Sequence, residues 1–265
     1  MSRRRHLSSA LAATLAVLVF GCLVPGLARA EQSGRDGILT TFDASFSPSL
    51  LSRGHADPVA ISLSGGVRAE GGKMTPRLGR IELAFAAQGR LDAAGLPACP
   101  RARLRNATLR QALSRCRPAL VGRGSILTEV PLAPAMPLLA RARALAFNGR
   151  EGGSPAVWLY AYSSSPPVSF VLPFTVRQRQ RGAFGLLLEA PVAKTLGRWP
   201  RLRSFRITLG RGYSSKGGHR DYLTARCPLP PRIQSLTVPI ARATFHFTPA
   251  PTIATTILRA CRARD

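Results

Sequence analysis

Short stretches of alternating apolar and polar residues run through most of the chain and predict a protein built mainly from β-strands. In 58–63, 78–87 and 202–209, branched or aromatic residues occupy every second position, with small or charged residues between them. This is the pattern of a strand with one buried face. About a dozen such stretches alternate with turn signals, which predicts an antiparallel, β-sandwich-like domain.

Two further patterns concern how the strands connect. Asn148-Gly149 is a hairpin-turn signal, and Gly152-Gly153 lengthens the same connection. The runs 235–247 and 252–262 predict a hairpin at the C-terminus. In the strand predicted over 120–132, glycines indicate a bulge or a close approach of another backbone.

One segment departs from the alternation and predicts an α-helix over about residues 101–115. Pro100 fits the first helical position, where a missing N–H costs nothing, and Pro118 ends the pattern. The residues that share one face of this helix are Leu104, Thr108, Leu109, Ala112, Leu113 and Cys116.

The N-terminus has the pattern of a secretion signal over residues 1–30. Arginines at 3–5 precede an apolar run over 11–27, and Ala-Arg-Ala at 28–30 forms an A-x-A cleavage site. We therefore expect residues 31–265 to form a single secreted, β-rich domain.

Two other interpretations of the N-terminus are less well supported. Residues 19–22 loosely resemble a bacterial lipobox, which would leave a lipid anchor on Cys22. Phe20 stands where such a motif prefers a smaller residue, and the A-x-A site is better formed. Because the apolar run is short and Pro25 interrupts it, we expect no transmembrane segment.

Four cysteines remain after the signal, and an even number in an exported chain indicates disulfides. Three pairings are possible, and we favour Cys99–Cys116 with Cys227–Cys261 because each pair brackets one local unit. Buried free thiols are the alternative. No pair has C-x-x-C spacing and no histidine lies near in sequence, so we expect no metal site.

The chain carries a formal net charge of +26 at pH 7, almost entirely from arginine. The arginines spread from Arg35 to Arg264, and many alternate with apolar residues as strand surface positions do. A bias towards alanine, arginine, glycine and proline is typical of a GC-rich genome, so composition explains part of the charge. A surface this basic still attracts polyanions. We expect an anionic cell-wall polymer or polysaccharide as partner, and no specific nucleic acid.

The sequence contains no nucleophile elbow, zinc-helix motif or phosphate-binding loop, and we expect no cofactor. The weak candidates for ligand contact are of two kinds. Trp158, Tyr160 and Tyr162 share one strand face, where they would either stack on sugar rings or cover part of the core. His219 and Asp221 are spaced to form an acid–base or ligand pair on one strand.

Together these patterns favour an exported, non-catalytic binding or structural protein of the cell envelope. The alternative is a secreted hydrolase, glycosidase-like or esterase-like, on a β-sandwich. In a hydrolase, His219 and Asp221 should converge in a cleft with Glu82, Glu129 or Glu189. If these groups are scattered and paired with arginines, the alternative loses support.

Several local motifs are familiar. They are Gly-Leu-Pro-Ala-Cys at 95–99, Arg-Asn-Ala-Thr at 105–108, Cys-Arg-Pro-Ala-Leu-Val-Gly-Arg-Gly at 116–124, and the residues at 146–149, 204–205, 222–227 and Cys261. With these motifs the chain resembles a group of exported, uncharacterised proteins of high-GC actinobacteria, which tend to carry lysine where this chain has arginine. The resemblance implies export, one domain and two disulfides, and it carries no activity or site residues.

Overall fold

The structure is a computed structural model that describes residues 30–133, 136–179, 182–196, 200–249 and 251–264. The predicted signal, except for its last residue, and Cys22 of the alternative lipobox lie outside the described residues. Among the helices that are described, none combines the length and the apolar character needed to cross a membrane.

Strands make up most of the described chain. They are β1 (Glu31–Arg35), β2 (Ile38–Ser47), β3 (Leu50–Ser52), β4 (Asp57–Pro58), β5 (Ala60–Ala69), β6 (Leu78–Ala86), β7 (Arg90–Leu91), β8 (Leu120–Ala133), β9 (Met136–Glu151), β10 (Ser154–Ser164), β11 (Pro167–Gln178), β12 (Phe184–Ala190), β13 (Arg201–Leu209), β14 (Gly212–Ser215), β15 (Gly218–Asp221), β16 (Leu223–Ala225), β17 (Ser235–Phe247) and β18 (Thr252–Arg264). The helical elements are α1 (Leu109–Cys116), α2 (Val192–Leu196) and 3-10 turns at Glu70–Gly72, Arg101–Arg103 and Arg117–Ala119.

Thirteen strands form one sheet in the order β1-β2-β5-β13-β8-β9-β10-β11-β12-β6-β17-β18-β3. All neighbours in it are antiparallel except β18 and β3. The sheet curls until β18 lies against β1 and β2, where Thr255 Oγ1 donates to Ser33 Oγ over 2.9 Å and Arg259 pairs with Asp43. The predicted mainly β, antiparallel fold is therefore confirmed, and one continuous sheet faces itself across the core.

The inner face of the curl holds the main apolar core. In β6, for example, Ile81, Leu83 and Phe85 are buried while Arg80 and Glu82 point outward, as alternation requires. The predicted C-terminal hairpin is formed by β17 and β18. Two small sheets, β14–β15 and β4–β16–β7, lie beside the large one.

The helix is shorter than predicted. The chain forms a 3-10 turn at Arg101–Arg103 and breaks at Asn106, whose φ is +52°, a left-handed conformation that asparagine tolerates well. Thr108 then starts α1 with a reciprocal cap, in which its hydroxyl accepts from the backbone of Gln111 over 3.3 Å and its own N–H donates to the Gln111 side chain over 2.9 Å. The apolar spacing continues across this break and so does not reveal it. The Thr-x-x-Gln cap at 108–111 marks the point at which the α-helix begins.

Both predicted disulfides are formed. The Cα atoms of Cys99 and Cys116 are 5.4 Å apart, and those of Cys227 and Cys261 are 5.9 Å apart. The first bridge closes the segment that contains α1. The second ties β18 to the chain that follows β16.

Candidate anion-binding surface

The segment 99–116, which we call the cassette, packs on the outer face of β9, β10 and β11. There it forms a second apolar core with Phe147, Trp158 and Tyr160. Trp158 Nε1 donates to the carbonyl of Cys99 over 2.8 Å, and the Tyr160 hydroxyl donates to the carbonyl of Ala107 over 2.6 Å. Trp158 and Tyr160 thus each satisfy their one polar side-chain atom on the backbone of the cassette.

This burial favours the second of the two roles predicted for the aromatic row, which is to cover part of the core. Trp158 is 1% exposed and Tyr160 is fully buried, so neither can stack on an external sugar ring while the cassette is in place. Burial, with a smaller effect from Tyr162, raises the pKa of Tyr160 to about 12. Tyr162 is only half-buried, at the edge of the cassette, and stays available at the surface.

His219 and Asp221 lie on the β14–β15 hairpin and contact each other, with His219 Nε2 3.3 Å from Asp221 Oδ1. The imidazole is largely exposed. The neighbouring contacts of the hairpin are structural, because Arg220 pairs with Asp92 over 3.1 Å and Tyr213 donates to the carbonyl of Ala94 over 3.0 Å. In the described part of the chain no third His, Cys, Asp or Glu joins the pair to form a metal site.

The three glutamates considered for a hydrolase lie on other parts of the sheet. Glu82 and Glu189 both contact Arg80, over 3.0 and 3.2 Å. Glu129, on β8, contacts Arg203 over 3.3 Å. Each carboxylate is paired with an arginine, and none contacts His219 or Asp221 among the described residues. Glu82 and Glu189 lie opposite each other on β6 and β12, where Glu82 also contacts His246 over 3.0 Å. The convergence with His219 and Asp221 that the hydrolase alternative predicts is not found among the described residues.

A serine, a histidine and an aspartate meet at the corner between β3 and β4, where no sequence motif predicts a site. Ser52 Oγ lies 2.8 Å from His55 Nε2 and donates to Asp57 Oδ1 over 3.0 Å. In a nucleophilic triad the histidine separates the two and uses both ring nitrogens. Here a single nitrogen, Nε2, faces both partners, and Ser52 is only 2% exposed. The geometry is that of a structural cluster.

Asp57 is the centre of that cluster. Its carboxylate accepts from the backbone N–H of Ser52 and from Arg264 Nη2, the latter over 2.8 Å. Burial raises the pKa of Asp57, but these hydrogen bonds and the Arg264 charge outweigh it and hold the pKa below its ordinary value. The cluster joins β3, β4 and the C-terminal strand.

A separate group of exposed, charged side chains lies on the sheet next to the cassette. Four arginines on adjoining strands β13, β8 and β9 project from the outer face of the sheet: Arg123, Arg141, Arg143 and Arg206. All are exposed. We call them the four-arginine face.

Strand register brings these arginines together. Arg206 lies opposite Ser125, and Ser125 lies opposite Arg143, so the two arginines are two strands apart, about 10 Å. Arg123 is a diagonal neighbour of Arg206, about 7–8 Å away. Arg141 follows on the same face of β9, about 7 Å from Arg143. Tyr162 lies opposite Arg143 on the next strand.

The four guanidinium groups have no ion-pair or hydrogen-bond partner among the described residues. The acids closest to them in register are already occupied, since Glu129 contacts Arg203 and Asp43 contacts Arg259. The positive charge of the face is therefore not neutralised within the described part of the protein.

The backbones of β8 and β13 lie close together beneath this face. A Cβ on Gly124 would collide with the carbonyl oxygen of Arg206, so only glycine lets β8 approach β13 here. A bulge precedes Gly122. Both observations confirm what the glycines in this strand predicted. The adjacent groove is lined by Arg117, Arg123 and Arg211, which extends the basic surface towards the cassette.

The four-arginine face could not be identified from sequence spacing, because Arg206 lies more than sixty positions after Arg141 and Arg143. The local signals were the Arg-Ala-Arg alternation at 141–143 and the Gly-Arg-Gly at 122–124.

Comparison with known proteins adds no assignment. The chain matches no protein-family model, no curated protein and no solved structure. The resemblance to exported actinobacterial proteins therefore stays a prediction.

Proposed function

We propose that this chain is an exported, non-catalytic binding protein of the cell envelope that holds anionic polymers on the four-arginine face. The observation that carries the proposal is the grouping of four exposed guanidinium groups without an acidic partner among the described residues. Guanidinium groups bind carboxylate and phosphate oxygens through paired hydrogen bonds. Spacings of about 7–10 Å allow one extended polymer to contact several of them at once.

The surroundings of the face support the same proposal. The disulfides are typical of an oxidising compartment outside the cytoplasm, where anionic wall polymers are found. The arginines project from paired strands of the sheet, so binding has to order their side chains but not the backbone beneath them. Tyr162 beside Arg143 offers a ring for contact with a sugar unit of the polymer.

Retention on polymer-coated beads tests the proposal. The purified protein should bind beads that carry an anionic polysaccharide or a phosphodiester polymer, and should pass over beads of uncharged dextran. Because the contacts are between exposed charges, retention should fall as salt approaches about 1 M, where the screening length is ~3 Å. Retention that does not change with salt would contradict an electrostatic partner.

A matched pair of variants distinguishes binding by this face from an effect of the net charge of the protein. The test variant replaces the four-arginine face with glutamine: Arg123→Gln, Arg141→Gln, Arg143→Gln and Arg206→Gln. The control variant removes the same charge from exposed arginines elsewhere: Arg177→Gln, Arg179→Gln, Arg232→Gln and Arg262→Gln. We expect the test variant to lose retention and the control to keep most of it. Equal loss in both would show that the overall charge, and not this face, binds the polymer.

A further inference from the structure

A surface pocket lies at one end of the large sheet, where the end of β5, the start of β13 and the later part of β8 come together. Its volume is about 340 Å³, near the lower end of the range of about 300–1,000 Å³ that is usual for small-molecule sites. Half of the described residues that line it are charged, and none of these belongs to the four-arginine face. They are Arg68, Lys73, Glu129 and Arg203.

The carboxylate of Glu129 is a fixed part of this pocket. Glu129 is only 5% exposed. Its Oε2 accepts from the backbone N–H of Thr75 over 2.9 Å and from the Thr75 hydroxyl, and its Oε1 lies 3.3 Å from Arg203 Nη1. Both carboxylate oxygens are thus engaged by donors of the protein, and Glu129 holds Arg203 at the wall of the pocket.

A β-bulge explains why Arg203 reaches this pocket. Phe205 faces the apolar interior, so plain alternation would direct the residue two positions before it inward as well. The pairing of β13 with β8 shifts register between Leu202 and Ser204, and Leu202 lines the interior together with Phe205. Arg203 is the extra residue of the bulge, a position that re-aims a side chain, and it lines the surface pocket instead.

The other two cations of the pocket are not neutralised by the protein. Arg68 and Lys73 are both exposed, and within the described residues neither side chain has an ion-pair or hydrogen-bond partner. The turn at Glu70–Gly72 separates them, with φ of +65° at Gly71 and +69° at Gly72. With the arginine at 203 and the single carboxylate, the described lining has three formal positive charges and one negative charge, a net charge of +2.

We infer that this pocket binds a small phosphate monoester, of which a sugar phosphate is the type. A phosphate monoester carries a charge of about −1.5 to −2 at neutral pH, which balances the lining, whereas a carboxylate would leave about half of the positive charge unbalanced. The phosphate oxygens would accept charge-assisted hydrogen bonds from Arg68, Lys73 and Arg203. The inference is independent of polymer binding on the four-arginine face.

Calorimetric titration with three matched sugars tests this site. Glucose 6-phosphate should bind the purified protein saturably in about 0.15 M salt, where long-range attraction is screened. Glucuronate, which has a similar ring and one carboxylate, should bind at least about tenfold more weakly, and glucose should not bind. Absence of saturable binding of glucose 6-phosphate, or equally tight binding of glucuronate, would overturn the inference.

Variants assign the binding to the pocket. Arg68→Gln with Lys73→Gln should raise the Kd for glucose 6-phosphate by about tenfold or more. The control pair Arg232→Gln with Arg262→Gln removes the same charge from exposed positions elsewhere and should leave the Kd within about twofold. Near-UV circular dichroism and the melting temperature establish that the variants are folded. An unchanged Kd in the first pair, or an equal rise in both, would refute the pocket as the site.

The glutamine variant of the four-arginine face separates this inference from the proposed polymer binding. It should still bind glucose 6-phosphate saturably, because none of its four substitutions lies in the pocket. Loss of that binding would place the phosphate on the four-arginine face and overturn the inference. Failure of the wild-type protein to bind polymer-coated beads, with glucose 6-phosphate binding intact, would refute the proposed function and support the pocket alone.

Discussion

At the scale of single residues, the buried carboxylate of Asp57 holds three strands together. It lies on β4 and accepts hydrogen bonds from Ser52 on β3 and from Arg264 on β18. We expect Asp57→Asn to lower the free energy of unfolding at neutral pH by about 2 kcal/mol, because the amide replaces a charged acceptor and leaves buried donors poorly matched. Urea unfolding of both proteins measures this difference.

The loss of stability caused by Asp57→Asn should become smaller as the pH falls. The pKa of Asp57 is lower in the folded protein than its ordinary value, so its contribution is complete above the unfolded pKa of about 4 and is lost as the pH falls through the folded pKa. The difference in the free energy of unfolding between wild type and Asp57→Asn should be large well above about pH 4 and should narrow in acid. Glu31→Gln, at an exposed position, is the control. A difference in the free energy of unfolding that does not narrow in strong acid would contradict this role of Asp57.

Tyr160 offers a second test at this scale. Its hydroxyl is buried and donates to the carbonyl of Ala107, so Tyr160→Phe leaves that acceptor without its partner. We expect a loss of about 1–2 kcal/mol in the free energy of unfolding. Tyr162→Phe, at the half-buried neighbour, should change stability by less than about 0.5 kcal/mol. Similar losses in the two variants would show that the hydrogen bond to the cassette contributes little.

The dipeptide Asn148-Gly149 shows why local signals can mislead. It predicts a hairpin turn, but β9 continues through it to Glu151, and the chain turns at Gly152-Gly153. The Asn148 side chain donates to the carbonyls of Leu96 and Pro97. A Cβ on Gly149 would collide with Trp158. Both residues therefore pack against segments that are distant in sequence, and a rule based on two adjacent residues cannot detect such contacts.

At the scale of elements, alternation predicted strands well and boundaries less well. The strands at 58–63, 78–87 and 202–209 and the C-terminal hairpin all appear, because each buries one face and so carries period-two alternation. The predicted helix begins eight residues before α1, since the buried Leu104, just after the 3-10 turn Arg101–Arg103, stands at a helical spacing from the apolar residues of α1. The curl of the sheet was not predictable, because strand order depends on pairing between distant segments.

The cassette provides the test at this scale. Its bridge closes a separation of 17 residues, so Cys99→Ser with Cys116→Ser should lower the free energy of unfolding by about 3 kcal/mol in the loop-entropy model. The cassette covers Trp158, so its loosening should shift the Trp158 fluorescence to the red in a Trp199→Phe background. An unchanged emission spectrum together with unchanged stability would show that packing alone holds the cassette.

At the scale of the whole molecule, the sequence shows a large positive charge but does not show which arginines remain unpaired at the surface. Many of the arginines are occupied in the fold. Arg80 holds Glu82 and Glu189, Arg211 donates to backbone carbonyls beyond α1, and Arg264 contacts Asp57. The four-arginine face is distinguished by the grouping, on adjoining strands, of guanidinium groups that are unpaired in the described chain, and this grouping becomes visible only once strand register is known.

A polyanion that binds the four-arginine face should stabilise the folded protein. A ligand at about a hundredfold excess over its Kd adds ~2.7 kcal/mol when it binds only the folded state, and for a chain of this size that corresponds to a rise of about 5–10 °C in melting temperature. Long-chain polyphosphate is the probe, measured by differential scanning fluorimetry in low salt and in about 1 M salt, where the effect should vanish. The glutamine variant of the face should lose the rise, and the variant at Arg177, Arg179, Arg232 and Arg262 should keep it. Because both variants have the same net charge, a rise that survives in the first or disappears in the second would mean that the polymer responds to charge spread over the molecule, and the face would then have no special role.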